Sequence, residues 1–148
     1  MKTNRLSLSF RKENCPKSAS YLVGELRVDD QHLGDRYVLD VQQLVYALAK
    51  SGEYFVFTCG CGVPDCADIA NGVASTVSGD QVTLVGSLPK GGGFSYVLSA
   101  AQARKAVSDA ILAEKAFLDG ACECEEGDFP VFGFRAYSYK SYLASLRV

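Results

Sequence analysis

Apolar and polar positions alternate from the start of the chain. Leu6, Leu8 and Phe10 interleave with Ser7, Ser9 and Arg11, and a period of two sends the three apolar side chains to one face of a strand. Asn14, Pro16, Lys17 and Ser18 interrupt the pattern and predict a loop. A second strand is predicted over Tyr21–Val28, where Leu22, Leu26 and Val28 share a face with Gly24 between them, and its natural partner is the first. The polar run from Asp29 to Asp35, with Gly34 inside it, predicts a turn or exposed loop. A helix should follow. Asp40 can accept from the free N–H groups of its first turn, Gln43 stands at the reciprocal capping position, and Val41, Leu44, Val45 and Leu48 keep a helical stripe that Gly52 stops. Tyr54-Phe55-Val56-Phe57 is a continuous apolar run, as in a strand covered on both faces, and it leads into Thr58-Cys59. It is expected to be internal to its sheet.

Val73, Ser75 and Val77 alternate up to Ser78-Gly79-Asp80, and Val82 and Leu84 alternate beyond it, which predicts a hairpin around Gly79. Pro89-Lys90-Gly91-Gly92-Gly93 is a flexible connection into a strand carrying Phe94, Tyr96 and Leu98. Those glycines do not form a phosphate loop, because the GxxxxGK[ST] spacing is missing and a strand, not a helix, comes next. The longest helix is predicted from about Ala100 to Asp119, capped by Ser99 with Gln102 at the capping-box position and Gly120 beyond its end. Ala103, Val107, Ala110, Ile111, Phe117 and Leu118 form its inner stripe, a core face and not a ligand groove. After an acidic loop, Phe132, Phe134 and Ala136 predict a last strand, and Tyr139, Tyr142, Leu143 and Leu146 a short final helix capped by Ser138. The expected class is α+β, a mostly antiparallel sheet with two or three amphipathic helices packed on it. Residues 1–148 contain no repeat or linker that would divide them, so one globular domain is expected.

Composition narrows the function classes. An apolar fraction of 48% and a charged fraction of 22% are those of an ordinary folded domain, which argues against disorder or a coiled coil. Fifteen Lys plus Arg against seventeen Asp plus Glu give a net charge of -2 with no dense basic stripe, so nucleic acid is a poor partner. No long apolar run suits a membrane span or a secretory leader. A cytoplasmic setting is therefore expected, and in that setting six cysteines are not first read as a disulfide framework.

Five of the cysteines fall in two clusters. Cys59, Cys61 and Cys66 form C-x-C-x4-C, and Cys122 and Cys124 form C-x-C. Glycine follows both Cys59 and Cys61, which lets the backbone turn sharply and aim amide hydrogens at thiolate sulfurs, as metal–thiolate sites do. A structural zinc asks for four tetrahedral ligands, and Cys59, Cys61 and Cys66 with Cys124 or Cys122 would supply them. Two other readings stay open at this level: reduced thiols filling small apolar spaces, and a disulfide between Cys59 or Cys61 and Cys66. Reactive use is disfavoured. Asp65 and Asp68 flank the first cluster and Glu123, Glu125 and Glu126 surround the second, and negative charge raises a thiol's pKa. The one histidine, His32, lies in the polar loop, and Cys15 beside Pro16 reads as incidental.

The segment Phe57–Ala67 resembles the TCxCGxxxCA segment of uncharacterised small bacterial cytosolic proteins, and the hairpin and amphipathic helix that follow it look like the same layout. The resemblance implies a bacterial cytosolic setting and brings no catalytic residues with it. Cys122 and Cys124 fall outside that pattern. With no paired acid and base, cofactor fingerprint or nucleophile motif in the sequence, the expected function is non-enzymatic: a protein-binding module of the immunity or antitoxin-like kind, with a cysteine-ligated structural zinc. The acidic stretch Glu123 to Asp128 and the acidic balance suit a basic protein partner. The alternative is a thiol-dependent enzyme or a metal or redox sensor that uses the Cys59–Cys66 loop.

Overall fold

In the computed structural model the described residues are 2–15, 18–58, 69–120 and 139–147. The cysteine loop from Cys59 to Cys66, the pair Cys122 and Cys124, the predicted strand at Phe132–Ala136 and the cap Ser138 lie outside them.

Strand β1 (Leu6–Cys15) pairs antiparallel with β2 (Ser18–Val28), with Leu6 opposite Val28, Leu8 opposite Leu26 and Phe10 opposite Gly24. Both strands continue through the stretch expected to be a loop, because the backbone keeps pairing as far as Cys15 opposite Ser18, with a register shift between Glu13 and Cys15. Another departure follows at once. Asp29 and Asp30 both have positive φ, 51° and 66°, the signature of a type I′ turn, and they fold β3 (Gln31–His32) back onto β2. Aspartate tolerates that region because its short side chain bonds locally; here the Asp29 carboxylate accepts from the Arg5 backbone N–H at 2.8 Å and from Asn4 Nδ2 at 2.7 Å.

Strand β4 (Val38–Leu39) precedes helix α1 (Val41–Ala49), whose cap is the expected one: Asp40 Oδ1 accepts from Gln43 N at 3.1 Å. The other half of the capping box is not made. Gln43 Oε1 instead accepts from Phe55 N at 3.1 Å, so its side chain ties the helix to the chain beyond it. Nor is Gly52 the stop, since α1 ends at Ala49 with Lys50 extended. The carbonyls freed at that end are met from elsewhere: Ala47 O accepts from Ser75 Oγ at 2.5 Å and Leu48 O from Arg104 Nε at 2.9 Å.

The apolar run expected as one internal strand is divided between two sheets. Gly52–Tyr54 forms β5, which among the described residues is the edge of a four-stranded sheet of order β5-β7-β8-β9, whereas Phe57–Thr58 forms β6, which pairs with β4 in a separate sheet. Asp40 N donates to Val56 O at 2.7 Å at the changeover. The rest of the larger sheet is an antiparallel meander of β7 (Val73–Ser78), β8 (Gln81–Leu88) and β9 (Gly92–Ser99). Between β7 and β8, Gly79 alone takes a positive φ of 57°, as a type II′ turn requires at its first central residue, and Ser78 pairs with Gln81 as the spacing predicts.

Ser99 caps α2 (Ala100–Ala113) by accepting from Gln102 N at 3.2 Å. The helix expected to reach Asp119 breaks at Glu114 and resumes as α3 (Lys115–Gly120), while α4 (Tyr139–Ser145) ends the described chain. Ala103, Val107, Ile111 and Leu118 still reach one core despite the break. That core also takes Leu6, Leu22 and Leu26 from the hairpin, Leu44 and Val45 from α1, and Val82, Leu84 and Leu98 from the meander. The architecture is α+β, with antiparallel sheets and helices packed against them.

Candidate functional site

Both cysteine-bearing stretches leave the described fold at well-defined points. Thr58, the residue before Cys59, is only 3% exposed and lies in the β4–β6 ladder opposite Val38. Phe57 beside it is equally enclosed. Gly34 runs directly under the Phe57 ring with φ +70°, and a Cβ there would stand 2.3 Å from Phe57 Cε1, so only glycine permits this approach. Tyr37 closes the other side with its ring centroid 6.5 Å from that of Phe57, and its hydroxyl accepts from Lys90 N at 2.8 Å. The chain re-enters at Ile69, which is 4% exposed. Phe57 and Ile69 line the same shallow, solvent-open pocket, together with Tyr54, Asn71 and Leu88. Phe57 and Ile69, which flank the Cys59–Cys66 stretch in sequence, are thus seated side by side on the core.

The second stretch leaves from α3 and returns at α4. Its two ends are clasped by side chains: Tyr139 Oη donates to Asp119 Oδ1, and Lys115 Nζ donates to Asp119 Oδ2 one turn earlier. The Lys115 bond, followed by that from Tyr139, holds the Asp119 carboxyl below the usual aspartate range. Donation to that carboxylate, and then burial, push the Tyr139 hydroxyl above the ordinary tyrosine value, and the bond to Asp119 raises Lys115 likewise. The Asp119 carboxylate is thus a clasp that takes one hydrogen bond from its own helix and one from α4.

Cys59, Cys61, Cys66, Cys122 and Cys124 themselves lie outside the described residues. Among the described residues no three His, Cys, Asp or Glu side chains gather to hold a metal. His32 is exposed on β3, opposite Arg27. The Asp119–Tyr139 clasp was missed by sequence reasoning; the i, i+4 spacing of Lys115 and Asp119 was a visible signal for half of it, and the tyrosine partner gave none. No helix among the described residues is long and apolar enough to cross a membrane. No family model matches the chain, and no curated protein or solved structure matches it.

Proposed function

We propose that the chain is a non-enzymatic, protein-binding module of the immunity or antitoxin-like kind, in which one zinc ion held by Cys59, Cys61 and Cys66 with Cys124 or Cys122 fixes the binding surface. The observation that carries this reading lies in the residues that flank the two cysteine-bearing stretches: Thr58 and Ile69, on either side of one, are buried, and Asp119 and Tyr139, on either side of the other, are joined by a hydrogen bond. Chain segments whose flanking residues are held in place lose less entropy when an ion crosslinks ligands within them. The acidic stretch from Glu123 to Asp128, next to the second pair, supplies the charge that would meet a basic partner.

Elemental analysis of the purified protein tests the metal, and thermal unfolding with and without a chelator tests its coupling to folding. Zinc at one per chain is expected. Chelation and each Cys→Ser change within the set should lower stability by similar amounts, while Cys15→Ser should leave it unchanged, because one missing thiolate spoils the tetrahedral shell. Metal-free protein with chelator-insensitive melting would remove the zinc. Rapid single-site labelling by a thiol reagent at neutral pH, indifferent to chelator, would favour a thiol-dependent enzyme or sensor instead.

A further inference from the structure

The chain carries three asparagines, Asn4, Asn14 and Asn71, and only Asn71 precedes a glycine. That order has its own chemistry. Glycine leaves the backbone nitrogen that follows an asparagine open to approach, and this nitrogen can close a five-membered ring on the side-chain amide carbon. Asn71 is exposed, in a bend just ahead of β7, and the N–H of its neighbour is already engaged: Gly72 N donates to Glu53 Oε1 of β5 at 3.3 Å. A carboxylate within reach of the proton that a nucleophile must lose is placed as a general base. Packing also holds glycine at 72. A Cβ there would stand 2.7 Å from Glu53 Cγ and 2.9 Å from the Tyr54 backbone oxygen, so the approach of β5 to this bend keeps the reactive pair in the chain.

We infer that Asn71 is a site of self-catalysed deamidation, with Glu53 as its base. Gly72 N attacks Asn71 Cγ while the N–H proton passes to the Glu53 carboxylate, which already accepts that hydrogen bond. The protonated carboxyl then gives the proton to the departing side-chain nitrogen. The Cγ–Nδ2 bond breaks, ammonia leaves, and Glu53 is a carboxylate again. Water opens the cyclic imide at either carbonyl. Opening at the backbone nitrogen–side-chain carbonyl bond restores the main chain with aspartate at 71, and opening at the other carbonyl routes the main chain through the side chain and adds a methylene to it. Either product carries a carboxylate where the amide stood. Asn71 lines the pocket beside Phe57 and Ile69, so the reaction converts a neutral wall of that pocket into a charged one, next to the Glu53 that drove it.

Incubation of the full chain at physiological temperature from about pH 6 to about pH 9, followed by mass spectrometry with fragmentation that separates aspartate from isoaspartate, tests this. Both products should accumulate at Asn71, ahead of any change at Asn4 or Asn14. Glu53→Gln keeps an acceptor for the Gly72 N–H but cannot take its proton, so it should slow the reaction at neutral pH by at least roughly tenfold with unchanged thermal melting. What remains without the base depends on hydroxide, and the variant's rate should therefore climb more steeply with pH than that of the wild type. Unfolding the wild type in urea separates Glu53 from Gly72 and should steepen the profile in the same way, which decides the matter if the variant does not fold. An Asn71 that stays intact at every pH, or one rate and one pH slope shared by the wild type and by whichever of these comparisons can be made, would overturn the proposal.

Discussion

Gln43 and Gln102 hold equivalent positions, each three residues after the oxygen that caps its helix, and neither side chain turns back to that cap. Gln43 reaches forward to accept from Phe55 N at 3.1 Å, at the point where the chain passes from β5 to β6. Gln102 reaches across to the first strand, donating to Leu6 O at 2.8 Å and accepting from Leu6 N at 3.1 Å, so one amide satisfies both main-chain groups of a residue far away in sequence. Leu6 is fully buried at that contact. The difference shows two uses of one residue type. Where helix and strand are neighbours along the chain, one bond suffices to set the angle of the connection; where they are distant, the amide substitutes for the missing neighbour of an edge strand, because a buried N–H or C=O left unpaired is costly.

The severest way to break both helices' docking is to put charge under them. Val45 on α1 and Ile111 on α2 are both completely buried, so Val45→Asp or Ile111→Asp forces an unpaired carboxylate into the core, and each should cost about 4 kcal/mol or more and abolish the cooperative unfolding transition. A normal melt for either variant would show that its helix is not packed as described. A finer cut compares the amides. Gln102→Ala strands two main-chain groups and should destabilise by about 2 kcal/mol, whereas Gln43→Ala strands one half-exposed N–H and should cost about 1 kcal/mol. Urea titrations of the two variants measure this, and an equal loss would erase the distinction between the two junctions.

The smallest effect concerns the far ends. α1 closes on the Ser75 hydroxyl and Arg104, while the path from α2 continues to the Asp119 clasp, which titrates. Asp119 is held below its unfolded pKa, so its stabilisation is present above about pH 4 and fades as pH falls further. Tyr139 and Lys115 are held above theirs, so their part is complete below about pH 10 and fades as pH rises beyond it. Subtracting the melting-temperature profile of Asp119→Asn from that of the wild type should therefore leave a small plateau that declines at both limits. A flat difference would mean that the clasp contributes nothing to folding.

The sequence by itself determined what depends on neighbours along the chain. Periods of two at Leu6–Phe10 and Val73–Val77, the glycine of the β7–β8 turn and the caps Asp40 and Ser99 are all contacts within a few residues, and all stand where the pattern places them. Tertiary structure decided the rest. Tyr54–Phe57 reads as one strand, but Phe55 N donates to Gln43 Oε1 and Val56 O accepts from Asp40 N, and the two halves go to different sheets. Asp29 and Asp30 read as loop, yet bonds from Asn4 and Arg5 steady the turn that creates β3. The break at Glu114 likewise leaves no mark in the periodicity, since Ile111 and Leu118 stay on one face on either side of it. Of the candidate site, spacing alone supplied the cysteines, while the seating of Phe57 and Ile69 and the bond from Tyr139 to Asp119 join residues that no local rule connects. Local rules fix where an element starts and which face it buries, whereas the partners that end, split or clasp it come from distant parts of the chain and are set only when the core assembles.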